Sequence, residues 1–344
     1  MPARARAAAG GIHVHGRDPL LKIDADALVA EARDWTRETC RALGVAINGP
    51  IEQVHVRPWS TVFRVATRGG AIYVKCCGPT QRHEPRLTAL LHRVFPGLVT
   101  EVLALHPSQP WMLVAEGGKK LGEVFEGDDL LRAWRELLPR YAQLQRDITP
   151  RTNEIIGSGT PDRRAGTLLA GFDDAFADEP AVSGRRAGRL TADERRALAS
   201  LRPRLAEALC ALAALGIDDT LQHDDLHHNN VLVRDGRMVI FDWGDACVSH
   251  PFLTLAVTLR FAAQKTGGAE NAAEIVALRD AYLEPWSDRA SLQELRDAAE
   301  LGRRIGEVSR TLTFHAVARA YPGVVDTYPG GLAGSLRRVL ALFS

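Results

Sequence analysis

The densest set of side chains able to do chemistry lies in one run, LQHDDLHHNNVLVRDGRMVIFDWGDA, at residues 221–246. Within it Asp225, Asn230 and Asp242 flank two short apolar segments, Val231-Leu232-Val233 and Met238-Val239-Ile240-Phe241. Arg234-Asp235-Gly236-Arg237 joins the segments, and Asp-Gly supplies the positive φ angles of a tight hairpin turn. A hairpin there carries three oxygen-bearing side chains to one end of a rigid ribbon. Two carboxylates and an amide so placed suit a hard cation such as magnesium, which takes one or two protein oxygens and fills its shell with water and substrate phosphate. Taken singly, each residue also has a plain role, as a loop cap, a turn former or a strand-end cap. Their joint spacing is what points to chemistry.

Two neighbouring histidines open another reading. His223 and His227 are four apart, a spacing that shares zinc on a helix, and His223-Asp224 has the form of a metal-dependent phosphohydrolase pair. Those hydrolases are all-helical, whereas this pair runs into a hairpin, so His223 is expected to brace the loop by hydrogen bonds and His228 to be a loop residue. A further candidate comes from the scarcity of lysine: only Lys22, Lys75, Lys119, Lys120 and Lys265 occur. Lys75 sits in AIYVKCC, where strand alternation places Tyr73, Lys75 and Cys77 opposite Ile72, Val74 and Cys76. A buried lysine needs a partner.

The elements that must position these groups fall into two kinds. From Ile23 a helical period runs through Leu28, Ala32, Trp35, Thr39 and Leu43. Residues 51–56, 61–67 and 71–77 are rich in β-branched and aromatic side chains, with Arg68-Gly69-Gly70 as a hairpin turn. A helix with Pro85 in its first turn follows, then extended runs at 98–105 and 111–115. Beyond Glu116-Gly117-Gly118 the pattern is helical, at 128–147 (kinked or broken at Pro139), 191–215, 252–264, 291–320 and from Gly331. Residues 150–190 read as a long connection with one short helix. The expectation is an α+β chain: a loose arm at 1–20, a small sheet lobe at 21–116 with a connector near 114–118, and a larger helical lobe at 119–344.

Composition bounds the partners. With 344 residues, 43 Lys plus Arg and 42 Asp plus Glu, the net charge of +1 gives no global attraction to nucleic acid. The five cysteines are odd in number and lack C-x-x-C spacing, which fits a reducing compartment and a cytoplasmic protein. No window is apolar for long enough to span a bilayer. Oligomeric state is left open.

The run His223-Asp224-Asp225-Leu226-His227-His228-Asn229-Asn230-Val231-Leu232-Val233, followed by Ile240-Phe241-Asp242-Trp243-Gly244-Asp245-Ala246, resembles the H-G-D-L-H-x-x-N and I-D-W-G-D-A signature of the aminoglycoside phosphotransferase and choline kinase-like family. The departures are Asp224, where the family usually has Gly, and the bulky Phe241. The resemblance spans roughly residues 50–320 and implies a bilobal protein-kinase-like fold. It implies ATP (or GTP) and Mg2+ as cofactors and transfer of the γ-phosphate to a hydroxyl. Asp225 then corresponds to the catalytic aspartate, Asn230 and Asp242 to the magnesium ligands, and Lys75 to the lysine on the α- and β-phosphates, paired with Glu84. No G-x-G-x-x-G is present; Ser60 and Thr61, in the turn that would cover the phosphates, stand as phosphate contacts or as ordinary turn residues. Adenine would lie against Val114-Ala115-Glu116-Gly117, with Gly117 and Gly118 as a hinge.

The acceptor is a small hydroxylated molecule such as an aminoglycoside, amino sugar, choline-like alcohol or other antibiotic or metabolite, and the resemblance does not choose among them. Asp245 and Glu284 are the candidate acceptor contacts, with Asp173, Asp174, Asp178 and Glu179 as further carboxylates. Trp243, Trp286 and Tyr282 suit core packing or the walls of a cation site. A catalytically weak kinase-fold binding module is the alternative. A protein-directed kinase is disfavoured, since D-F-G and A-P-E are absent.

Overall fold

In the computed structural model, residues 25–178, 189–322, 324 and 331–344 are described; the arm expected at 1–20 and the candidate Glu179 lie outside them. Helix α1 (Ala25–Ala42) precedes β1 (Ile47–Arg57), β2 (Ser60–Thr67) and β3 (Gly70–Cys77), followed by α2 (Glu84–Val94), β4 (Val102–Leu105) and β5 (Trp111–Ala115). The five strands form one antiparallel sheet in the order β1-β2-β3-β5-β4. One face buries Phe63, Val65, Ile72, Val74 and Leu113 against Ala32 and Cys40 of α1. Alternation turns Tyr73, Lys75 and Cys77 to the other face. Helix α2 lies beyond the Lys75 face, and its Leu87 and Leu91 join the core of the second lobe.

That lobe holds β6 (Lys119–Lys120), α3 (Leu121–Val124), α4 (Gly127–Ile148), α5 (Thr152–Gly157), α6 (Ala165–Ala177), α7 (Ala192–Ala213), β7 (Thr220–Gln222), β8 (Val231–Arg234), β9 (Arg237–Ile240) and β10 (Cys247–Ser249). It closes with α8 (Leu255–Thr266), α9 (Ala273–Leu283), α10 (Leu292–Ala320) and α11 (Gly331–Phe343). The chain is thus bilobal and α+β. The Asp-Gly hairpin is present: β8 pairs with β9, and Asp235 and Gly236 take φ of 51° and 73°. The N-terminus of α10 is fixed by a capping box, Ser291 with Glu294, each side chain meeting the other residue's backbone N–H.

Two sequence expectations need correction. Of a kink or a break at Pro139, the break does not occur: helix α4 is continuous through it, because Leu130, Trp134, Leu137, Leu138, Tyr141 and Leu144 are buried along its length and packing outweighs the missing backbone bond. The described residues of the 150–190 stretch carry two α-helices rather than one: α6 forms despite its Gly and Asp residues because Leu168, Phe172 and Ala175 are buried, with the helix packed against α10 and α7.

Candidate active site

Across the cleft the strand lysine meets two carboxylates. Lys75 Nζ donates to Glu84 Oε1 at 2.7 Å and to Asp242 Oδ1 at 2.6 Å. Glu84 opens α2 ahead of Pro85 and is wholly buried, and Cys77 Sγ donates to its Oε2 at 3.3 Å. Burial alone would lower the Lys75 ammonium pKa, but Asp242 and Glu84 outweigh it and hold it above its ordinary value. Burial raises the Glu84 pKa despite Lys75, whereas at Asp242 the lysine overcomes burial and lowers it. The Asp242 side chain remains 40% exposed, so its carboxylate opens into the cleft. Its backbone is left-handed, with φ 64° and ψ 59°, a conformation Asp tolerates better than most residues.

The loop before β8 is held from several sides. The backbone N–H of His223 donates to the Tyr141 hydroxyl at 2.8 Å, and its Nε2 lies 2.9 Å from the Phe241 carbonyl. Asn230 Nδ2 donates to the Asp225 carbonyl at 2.9 Å and to its Oδ2 at 3.1 Å. Asp224, with φ 60°, points away into the lobe, where Arg163 (2.7 Å), Ser309 (2.9 Å) and Thr313 (3.0 Å) bond it. Burial raises its pKa, opposed by Arg163 and Arg310. A buried guanidinium–carboxylate pair with two hydroxyl donors thus occupies the position where the resemblance leads one to expect Gly.

Arg310, from α10, ties this loop to the next. Its Nη2 lies 3.1 Å from Asp225 Oδ1, while Nη1 bonds Asp245 Oδ2. Asp245 also accepts from Gln81 Nε2 at 3.2 Å. Burial disfavours the Asp245 carboxylate, yet Arg310 outweighs it and lowers the pKa. Neither Arg163 nor Arg310 is anticipated from the sequence. Ser309, Arg310 and Thr313 are polar residues within an otherwise core-forming helix, but nothing in their spacing names a partner more than 60 residues away.

Of the remaining candidates, Ser60 lies opposite Cys77 and shares the Lys75 face, whereas Thr61 lies opposite Cys76 and its side chain belongs to the α1 face. Ala115 pairs with Ile72 at the edge of the connector. Gly117 is required by close approach: a Cβ there would sit 2.5 Å from Leu232 Cδ1 and 3.3 Å from Val239 Cγ2. Gly118, at φ 99°, would bring a Cβ onto the Val233 carbonyl, so both glycines dock the connector on the hairpin. Leu232, Val239 and Phe241 face the connector side of the hairpin, opposite buried Val231 and Ile240. A cavity of about 520 Å³ borders Ala115, Glu116, Gly117, Thr100 and Arg234, but none of Lys75, Asp225, Asn230 or Asp242 lines it. Glu284 is exposed and makes no side-chain bond to the site; Trp243, Tyr282 and Trp286 are core residues.

The donor set fits a magnesium ion. Asn230 bonds through Nδ2, and among the described residues neither its Oδ1 nor Asp242 Oδ2 has a hydrogen-bond partner. Two protein oxygens, an amide and a carboxylate, match that ion's preference for one or two protein ligands beside water and phosphate. The zinc or phosphohydrolase alternative meets a different arrangement: His223 and Asp224 are engaged as above, and among the described residues no three His, Cys, Asp or Glu side chains group as a metal site. No helix among the described residues is long and apolar enough to cross a membrane.

A strand lysine bonded to a helix glutamate and a hairpin-end aspartate, with an Asp-x4-Asn loop leading into that hairpin, is the arrangement a kinase-type phosphotransferase calls for. Residues 116–301 match the model of the APH phosphotransferase enzyme family, and this chain belongs to that family. The match begins at the connector, so the sheet lobe is recognised through its fold. A choline/ethanolamine kinase family protein from Mesorhizobium loti is 20% identical, covering 91% of this chain and 95% of its own, with a TM-score of 0.57. Choline kinase from Cryptosporidium parvum Iowa II is 12% identical over 90% and 94%, at 0.61. A macrolide 2'-phosphotransferase from Brachybacterium faecium is 14% identical over 89% and 98%, at 0.55. At these identities the likeness is one of fold, protein-kinase-like and bilobal. No curated protein sequence matches the chain.

Proposed function

We propose that this protein transfers the γ-phosphate of ATP, with Mg2+, to a hydroxyl of a small molecule. The observation that carries the reading is the Lys75–Glu84 and Lys75–Asp242 pair of bonds, at 2.7 and 2.6 Å, facing a loop in which Asn230 holds Asp225. Lys75 would hold the α- and β-phosphates, with Glu84 fixing its direction. Asn230 and Asp242 would hold the ion, which neutralises charge on the phosphate oxygens and aligns the γ-phosphate. Tyr73 on one side and Leu232, Val239 and Phe241 on the other would enclose the base beside the connector; GTP is admitted by the same reasoning.

Asp225 would accept the proton of the acceptor hydroxyl as that oxygen attacks phosphorus. Three neighbours orient it: Asn230 on Oδ2, Arg310 on Oδ1, and His227 Nε2 at 3.4 Å. Holding the carboxylate in one orientation supplies part of the alignment that lowers the barrier. The five free cysteines support a reducing, cytoplasmic setting.

An ADP-release screen over aminoglycosides, amino sugars, choline-like alcohols and sugar derivatives tests the reading. Acceptor-dependent, Mg-dependent turnover that disappears in Asp225→Asn is the expected result. Intact nucleotide binding with no transfer to any acceptor would leave a kinase-fold binding module instead.

A further inference from the structure

The acceptor side of the cleft is unusually rich in arginine. Its carboxylates are already engaged: Asp224 by Arg163, and Asp225 and Asp245 by Arg310. A fourth, Glu307, lies one turn before Arg310 on α10 and is shared by Arg260 of α8 and by Arg338 of α11, whose Nε is 3.5 Å from Oε2. Glu307 is buried, so two guanidiniums converge on a single carboxylate and leave a local surplus of positive charge. Arg260 is drawn down to about 10 by burial and by Arg338 and Arg310, as expected where three guanidiniums crowd together.

This cluster adjoins the reacting carboxylate. Phe261, next to Arg260, stacks on His227 with ring centroids 4.6 Å apart, and His227 touches Asp225. Arg338 is 44% exposed, and its Nη groups have no partner among the described residues. A polycationic acceptor would have to separate Arg310 from Asp225 and Asp245, leaving a buried guanidinium uncompensated, which is strongly unfavourable. An oxyanion would instead take up donors of Arg338 and Arg260 that Glu307 alone does not saturate, in the fork geometry suited to carboxylate and phosphate.

Resting on the phosphotransferase reading, we propose that the acceptor carries an oxyanion group, a carboxylate or phosphate monoester, beside its reacting hydroxyl, and that Arg338 and Arg260 bind that group. The cleft then selects hydroxylated acids over amines.

Calorimetric titration of the Mg–AMP-PNP-loaded full chain with glucose, glucosamine, gluconate and glucose 6-phosphate tests this without requiring turnover. The anionic members are expected to bind at least about tenfold more tightly than glucose, as charge-assisted bonds imply, and the comparison of gluconate with glucose 6-phosphate separates the two anion types. The preference should fall about tenfold in Arg338→Gln and be only partly kept in Arg338→Lys, which retains the charge but not the fork, with melting temperature as the folding control. Equal or tighter binding of glucose or glucosamine, or an undiminished anion preference in Arg338→Gln, would overturn the proposal. Failure of Mg–AMP-PNP itself to bind would take down the phosphotransferase reading as well.

Discussion

The two halves of the cleft are built from different distances along the chain. On the side proposed for the nucleotide, Lys75 and Glu84 are nine residues apart, and Asp242 lies at the end of a two-stranded hairpin beside Asn230. On the acceptor side, Asp224 and Asp225 are held by Arg163, Ser309, Arg310 and Thr313, which come from 61 to 89 residues away. Local backbone geometry therefore fixes each piece of the first half, Lys75 with Glu84 and Asn230 with Asp242, and the single Lys75–Asp242 bond joins them across 167 residues, whereas the second depends throughout on how α10 packs. On the proposed function, a site divided in this way would keep its phosphate chemistry while changes on one helix reset its acceptor preference.

The comparison can be broken most sharply at the loop where the halves meet. Asp225→Asn should lower turnover about 1,000-fold, the range of a lost general base, measured by steady-state kinetics. Asp224→Gly should destabilise the fold by about 3–5 kcal/mol, because it leaves buried Arg163 unpaired, outweighing the roughly 1–3 kcal/mol of relieved positive-φ strain. Denaturant melts would check this, and adding Arg163→Met should recover most of the loss. A stable single variant would mean that α10 does not depend on that pair. Arg310→Gln should reduce kcat/KM for the acceptor about tenfold, as for a lost charge-assisted bond, with nucleotide affinity unchanged; an equal loss on both sides would dissolve the distinction.

The smallest effect concerns pH. Burial lowers the pKa of His83, on the nucleotide side, to about 4 and that of His250, in the helical lobe, to about 3. Between those values and the unfolded value near 6.5, the unfolded chain binds the protons and the native chain does not. Stability therefore rises with pH across this window and is lost as pH falls through it, by about 1.4 kcal/mol per pH unit for each histidine. His223 and His228 are lowered by burial as well, His228 to about 4; chemical denaturation at pH 6.5, 5.5 and 4.5 would measure the slope, and His250→Asn should reduce it by roughly one histidine's share, about 1.4 kcal/mol per pH unit.

Much of the nucleotide side is legible in the sequence because its determinants are local. Strand alternation turns Lys75 away from the α1 core, and the Asp235-Gly236 turn forces the hairpin that carries Asn230 and Asp242. The same alternation, applied across the strand pair, separates Ser60 from Thr61, but only once the register is known. The acceptor side is not legible in this way. A polar residue in a helix, such as Arg310, reads as surface until tertiary packing buries it, and Glu284 reads as a cleft carboxylate until the fold leaves it exposed and unbonded to the site. Helix α6 is hidden for a related reason, since burial of Leu168 and Phe172 rather than propensity makes it form.

Titration of Mg–AMP-PNP into the wild type, Asp225→Asn and Asp242→Ala by calorimetry tests the central claim most directly. Wild type and Asp225→Asn should agree within about threefold, while Asp242→Ala should bind at least about tenfold more weakly, as when a metal-ligating carboxylate is removed. Unaltered affinity in Asp242→Ala would contradict the assignment of the Lys75–Asp242 cleft as the nucleotide site.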